Sequence, residues 1–259
     1  MSFIATTGSP WQTSIARLLK SKEISLRGDY NIEDQKIIFL ENQTVILPEL
    51  IKDAPKKKSS IQRALLNTTL KKLSFLLDHS SSALDLGGTK AYAEFLGFSK
   101  NKYLTANIDN NADIYIDLNS EKFNLSQKFR TIISLNTLLL IRNTEMCLDN
   151  IINCLTEDGI VILDFISSSS WYLAPDGTHW HNFNPSQINR LLNDKLEFVI
   201  IPIGNIYLQT ANYFFKNTSQ NRLTRLLRKI AERLLQKPGT PDTAIHYLIV
   251  GHKKNDIPH

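Results

Sequence analysis

Short apolar strips alternating with turn residues open the chain. Lys36-Ile-Ile-Phe-Leu40 and Thr44-Val-Ile-Leu47 are set off by Gly28-Asp29 and Glu41-Asn42, the pattern of small β-strands. Pro48 and then Asp53-Ala-Pro-Lys-Lys-Lys-Ser-Ser60 break that pattern and read as a linker, so a boundary falls near residue 58. This predicts a small β-rich N-terminal appendage over 1–58 and a larger domain over 59–259. Ser59 or Ser60 can cap a helix on which Ile61, Leu65, Leu66, Leu70, Leu73 and Leu77 recur at helical spacing. Strand-like runs follow at 83–86, 103–108, 114–118, 131–135, 160–165, 198–203 and 244–250. Helical runs are expected at 91–98, 145–155 and 185–193. Such alternation predicts an α/β fold: a seven-stranded, mostly parallel sheet covered by helices. The junction 109–113 is too short for a crossover helix, so either the third strand is brief and irregular or its pairing differs.

One amphipathic stretch stands apart. In 216–237, Leu223, Leu226, Leu227, Ile230 and Leu234 form a stripe, and Arg222, Arg225, Arg228, Lys229 and Arg233 fill other positions. It reads either as a packed helix with a solvated basic face or as a surface for an acidic substrate or a membrane.

Composition narrows the class. With 42% hydrophobic residues the chain supports a core, which excludes disorder. The longest apolar stretch, 131–141, carries Ser134, Asn136 and Thr137 and is far shorter than the roughly 20 residues a membrane span needs. Lys and Arg (30) against Asp and Glu (25) leave a net charge of +5, a mild bias towards acidic partners that is no nucleic-acid signature by itself, and no DNA partner is expected. Cys147 and Cys154 make no disulfide scaffold and cannot complete a zinc site; seven apart on one helical face, they are expected in the core. No secretory signal is visible at the N-terminus, so a cytoplasmic protein is expected.

The informative segment is Ala83-Leu-Asp-Leu-Gly-Gly-Thr-Lys-Ala91, a strand, a Gly87-Gly88 turn and a helix start. Glycine lets backbone approach a ligand closely, and such turns lie at the carboxyl ends of strands, where open α/β sheets bind ligands. The next strand is expected to end at Asp109, roughly two dozen residues beyond Asp85, where a carboxylate can accept ribose hydroxyls. Asp85 could equally cap turn N–H groups, Asp109 could be a solvated strand end, and Asn136 a turn former. Asp117 and Leu118 stand at the end of the third strand, in reach of a base.

These residues resemble a class I S-adenosylmethionine-dependent methyltransferase over about 59–259. Leu84-Asp-Leu-Gly-Gly88 is similar to the family's Asp-x-Gly-x-Gly motif, Asp109 to its acidic strand-two residue, and Asp117-Leu118 to its adenine-side motif. Phe129-Arg-Thr-Ile-Ile-Ser-Leu-Asn136 resembles its fourth strand with terminal Asn, and Leu155-Thr-Glu-Asp-Gly-Ile-Val-Ile-Leu-Asp164 the loop and fifth strand. The last two strands fit the antiparallel hairpin that closes such sheets. Asn136-Thr-Leu-Leu-Leu-Ile141 and Trp180-His-Asn-Phe-Asn-Pro185 resemble segments of methyltransferases found with bacterial cell-surface polysaccharide genes, and 18–51 the small module that precedes some of them, here without its zinc cysteines. Thr89 and Ala91 depart from the motif's later glycines, and Leu139 and Leu140 replace an acidic–His pair.

The resemblance implies S-adenosyl-L-methionine held by Asp85, Gly87, Gly88, Asp109, Asp117, Leu118 and Asn136, and methyl transfer to a small or carbohydrate-like acceptor, at oxygen. A hydroxyl acceptor benefits from a general base. His179 or His181, in the loop Trp171-Tyr-Leu-Ala-Pro-Asp-Gly-Thr-His-Trp-His181, could supply it, or both could be packed loop residues; with Asp176 as the one nearby carboxylate, a metal site there is disfavoured. The alternatives are a methyltransferase-like scaffold without activity, motivated by Thr89, Leu139 and Leu140, and an RNA methyltransferase using the basic helix as a phosphate contact.

Overall fold

The computed structural model describes residues 61–168, 181–204 and 244–253, residue Ile230, and the backbone of five short strands between residues 3 and 46. The expected linker, the loop 171–179 and all of 216–237 except Ile230 lie outside the described residues. Ile230 is helical and exposed.

The short strands are β1 (Phe3–Ile4), β2 (Ser25–Arg27), β3 (Tyr30–Glu33), β4 (Lys36–Phe39) and β5 (Thr44–Ile46). The strips at 36–40 and 44–47 thus become β4 and β5. Helix α1 (Ile61–Leu73) follows, with Leu66, Leu70 and Leu73 buried at the expected spacing and Leu77 buried beyond a 3-10 turn. Then come β6 (Ala83–Leu86), α2 (Ala91–Leu96), β7 (Tyr103–Asn107), β8 (Ile114–Tyr115), β9 (Phe129–Ser134), α3 (Thr144–Asn153), β10 (Leu155–Ile166), α4 (Pro185–Leu192), β11 (Leu196–Ile203) and β12 (His246–Lys253).

The principal sheet runs β8-β7-β6-β9-β10-β12-β11 and is extended past β11 by β5 and β2. Neighbours from β8 to β10 pair in parallel, and β12 runs antiparallel to both β10 and β11. This is the expected Rossmann-like, mostly parallel sheet with its antiparallel hairpin. All four residues of β6 are buried, as a central strand covered on both faces requires. One face packs Ala83, Ile133, Ile162 and Leu248 against the leucines of α1. The other packs Leu84, Leu86, Ile132 and Leu163 against Cys147, Leu148 and Ile151 of α3. Both cysteines are buried as anticipated, and burial pushes the Cys147 thiol up to about 12.

The third strand is indeed brief. Only Ala106–Ile114 and Asn107–Tyr115 pair, without a crossover helix. Helix α4 begins with a capping box, Asn184 accepting from Gln187 N and Gln187 returning to Asn184 N, with Pro185 fixing the first turn. No helix among the described residues is long and apolar enough to cross a membrane.

Candidate functional site

Parallel pairing brings the ends of β6, β7, β8, β9 and β10 to one edge, and antiparallel β12 delivers its first residue, His246, to the same edge. The site is built there.

At the end of β6 the chain turns at Gly87, whose φ of +75° suits glycine. The space a Cβ would need is filled by the protein itself. At Gly87 it would meet Thr137 Oγ1 at 2.4 Å, and at Gly88 it would meet Asp85 Oδ2 at 1.9 Å. Both glycines therefore permit close packing of the turn on its own side chains. Thr89 and Ala91 sit without positive φ, so the turn forms without the motif's later glycines. Thr137 locks it to β9, its hydroxyl lying 3.3 Å from Leu86 O and 3.1 Å from Leu135 O.

Asp85 is 1% exposed. Its Oδ2 accepts from the Tyr103 hydroxyl at 2.7 Å, whereas Oδ1 is buried without a partner. Burial raises Asp85 to about 7, against the opposing pull of the Tyr103 hydrogen bond. Burial and the adjoining Asp85 push the Tyr103 phenol upward, so it stays a donor. A buried carboxyl oxygen lacking a donor, under a glycine turn at a sheet's carboxyl edge, is suited to a ligand that brings a hydroxyl or a positive charge.

Strand β7 ends at Asn107, two residues before the expected Asp109. That is a correction: the side chain at the strand tip is an amide, and Asn107 Oδ1 accepts from Ile108 N at 2.8 Å. Asp109 lies in the following turn, exposed, with Oδ1 accepting from Asn111 N and Nδ2, both at 2.9 Å. The turn is braced from below. Asp113 accepts from Thr105 N at 2.7 Å and pairs with Lys90 Nζ at 2.8 Å, and Lys90 also donates to Tyr103 O at 2.6 Å. Partial burial works the other way, but the hydrogen bonds from Lys90 and Thr105 hold Asp113 below the usual carboxylate range. The expected third strand at 114–118 stops at Tyr115, so Asp117 and Leu118 fall in the loop after it. Leu118 is buried in the α3-side core, and Asp117 Oδ1 accepts from Asn119 N at 2.9 Å. Ile108 and Tyr115 are 62% and 71% exposed, large apolar surfaces at this edge.

Asn136, just past β9, has φ +53°, the left-handed turn conformation that asparagine tolerates better than most residues. Its N–H donates to Asp164 Oδ2 at 3.2 Å. With its amide oriented to satisfy both neighbours, Nδ2 donates to Asp164 Oδ2 at 3.0 Å and Oδ1 accepts from Arg63 at 2.7 and 3.2 Å. Arg63 Nη1 also donates to the Tyr92 hydroxyl at 2.8 Å, which donates to Asn67 at 3.0 Å. Asp164, fully buried, faces His246 Nδ1 at 3.1 and 3.2 Å.

His181 lies beside Phe183, its Nε2 2.9 Å from the Arg142 carbonyl. A carbonyl only accepts, so Nε2 carries the proton and is committed to backbone. His179 lies outside the described residues. The positions after Asn136 form a 3-10 turn, Leu138–Leu140, with Leu139 buried and Leu140 exposed.

Of the expected residues, Asp85, Gly87, Gly88 and Asn136 come together at one place, with Asp109 and Asp117 in the loops beyond the neighbouring strands. Sequence reasoning did not single out Arg63, Tyr103 and Thr137, nor the Asp164–His246 contact. The available signal was a histidine opening the apolar run 247–250 and an aspartate interrupting the apolar run 160–166.

No protein-family profile matches the sequence, and no curated protein matches it. Among solved structures, the chain is similar to the N-methyltransferase NodS from Bradyrhizobium japonicum WM9 in complex with S-adenosyl-L-homocysteine, at 13% identity and TM-score 0.48, covering 80% of this chain and 95% of that one. It is also similar to a possible histamine N-methyltransferase from Thermotoga maritima, at 11% identity and TM-score 0.48 over 75% and 92%. A third is the O-methyltransferase of a trans-AT PKS multienzyme of Brevibacillus brevis, at 14% identity and TM-score 0.44 over 72% and 71%.

Proposed function

We propose that the chain is an S-adenosyl-L-methionine-dependent methyltransferase that acts on a small or carbohydrate-like acceptor at oxygen. The observation that carries this reading is Asp85: a carboxyl buried beneath the Gly87–Gly88 turn with one oxygen unpartnered. The donor set fits the cofactor's polar and apolar parts. Asp85 Oδ1 and the turn's backbone would hold its amino-acid portion, Asp109 its ribose hydroxyls, and exposed Ile108 one face of its base, with Asp117 and Leu118 at the base's edge. Asn136 would border the reacting end.

The bound cofactor supplies a methyl group already activated on a sulfonium, so the protein contributes orientation and electrostatics. Asp85 supplies negative charge once it ionises. Thr137 and Tyr103 fix the turn and the carboxyl against β9 and β7, so little of the site needs to reorganise on binding. Such prepositioning accounts for much of the rate gain in an in-line displacement, up to roughly 7–11 kcal/mol.

Calorimetric titration of S-adenosyl-L-homocysteine into the protein tests the reading. Saturable binding that weakens at least tenfold in Asp85→Ala is expected; no heat at millimolar ligand overturns it.

A further inference from the structure

The proposed chemistry needs somewhere for the acceptor's proton to go. Asp164 and His246 stand on adjacent strands, β10 and β12, where Asp164 is opposite Leu248 and His246 one pleat nearer the edge at which β10 ends. Both point to the α1 face, since Ile162 and Leu248 pack there and residues two apart share a face. Asp85 lies on that face too, because Ala83 packs there. In register, Asp85 is opposite Ile133, and Ile133 opposite Ile162. Asp164 is therefore two strands across and two residues further toward the edge, about 12 Å from Asp85 by strand spacing and rise. A cofactor's reacting end near Asp85 and an acceptor near His246 would share this edge.

Three N–H groups converge on the fully buried Asp164 carboxyl: Asn136 N, Asn136 Nδ2 and His246 Nδ1. This fixes the imidazole with its proton on Nδ1 and leaves Nε2 as the basic nitrogen. His246 is 9% exposed and opens β12 at the edge where β6, β9 and β10 end.

We propose that His246 is the general base that receives the acceptor's proton at Nε2, with Asp164 as its positioning residue, and that the acceptor is a hydroxyl compound. The inference rests on the methyl-transfer reading of the crevice. As the acceptor oxygen forms its bond to the methyl carbon, the C–S electron pair returns to sulfur, which becomes neutral, and the O–H proton passes to Nε2. The resulting imidazolium is held by Asp164. A neutral amine attacks through its own lone pair before losing a proton, so a built base favours the hydroxyl. Asn136 and Arg63 hold the far side of Asp164 and relay α1 into the arrangement.

The test joins two measurements on the full chain. First, nitrogen-15 NMR of the His246 ring in protein with S-adenosyl-L-homocysteine should show a proton on Nδ1 and none on Nε2. The pattern should reverse or average in Asp164→Asn. A proton on Nε2 in the wild type overturns the proposal. Second, methylation of phenol and thiophenol probes is followed at about pH 8, where the thiol ionises unaided. His246→Gln should lose roughly 10²- to 10⁴-fold on phenol and stay within a fewfold of wild type on thiophenol. Equal losses on both probes, no loss on phenol, or a wild type that methylates only thiophenol overturn it. If neither probe is methylated, added phenol must still shift the Nε2 resonance, and an unmoved resonance counts against the base. Failure to bind S-adenosyl-L-homocysteine strikes the cofactor reading, whereas the ring's protonation judges His246 separately.

Discussion

The Tyr103 hydroxyl reaches one pleat along the sheet, from a position opposite Ala83, to donate to Asp85 at 2.7 Å. Among the described residues it is the one side-chain hydrogen-bond donor to a carboxyl that is otherwise desolvated, and it favours the ionised form. Tyr103→Phe should therefore destabilise the fold by about 1.5–3 kcal/mol at pH 8, where the bond is to a charged group, and by less at pH 5. Urea denaturation at the two pH values checks this; equal losses would mean that packing alone is being read.

Asp85 itself imposes a pH dependence of known sign. Its folded value is raised from 3.8 to about 7, so the folded state holds the proton more tightly than the unfolded chain. Its contribution to stability is fully present below about pH 4 and is lost as pH rises through about 7. The loss is on the order of 4 kcal/mol. Asp85→Asn should flatten this part of the stability profile, which denaturation at pH 4.5 and 8 will reveal. The same linkage makes S-adenosyl-L-homocysteine binding tighten as pH rises from 6 to 8 if the ligand supplies the missing donor, and that slope should vanish in Asp85→Asn.

The two glycines fail differently on substitution. Gly88→Ala drives a methyl into the Asp85 carboxyl, 1.9 Å away, and should cost about 1–3 kcal/mol or more and abolish ligand binding. Gly87→Ala meets Thr137 at 2.4 Å and carries an unfavourable φ as well. Thr137→Ala should recover part of that loss, the remainder being the backbone strain of about 1 kcal/mol. A double-mutant cycle by thermal unfolding measures the coupling.

Asp109→Ala should weaken S-adenosyl-L-homocysteine at least tenfold, the scale of hydrogen bonds to a charged group, while Asn107→Ala should change it only a fewfold. Calorimetry on both variants checks the assignment, and the reverse order would give the ribose contact to the strand tip.

Much of the scaffold was readable because its signals are local and repetitive. The leucine spacing of α1, the apolar runs of β6 and β9 and the Asn184-Pro185 start of α4 each follow from short-range pattern. The end of β7 was misjudged because Asn107-Ile108-Asp109 offers two polar residues at a strand terminus, and only the pairing of Asn107 with Tyr115 selects one. The Asp164–His246 contact joins residues 82 positions apart, and Arg63 reaches Asn136 from another element again. No spacing rule carries such information, since it arises from strand order. The glycines are legible as positions where backbone approaches a ligand, but not the packing beneath them: their missing side chains admit Thr137 and Asp85.

The reversed direction of β12 has a bearing on how the molecule matures. Because this strand slots between β10 and β11, its leading residue comes to rest beside groups synthesised some 80 to 180 positions earlier. A ribosome-bound chain can assemble the glycine bend and the parallel half of the sheet well before then. It cannot yet seat a proton acceptor against Asp164. Acquisition of chemistry is thereby deferred until residue 246 has emerged, and fragments ending short of it would be expected to grip a nucleoside more readily than to use it.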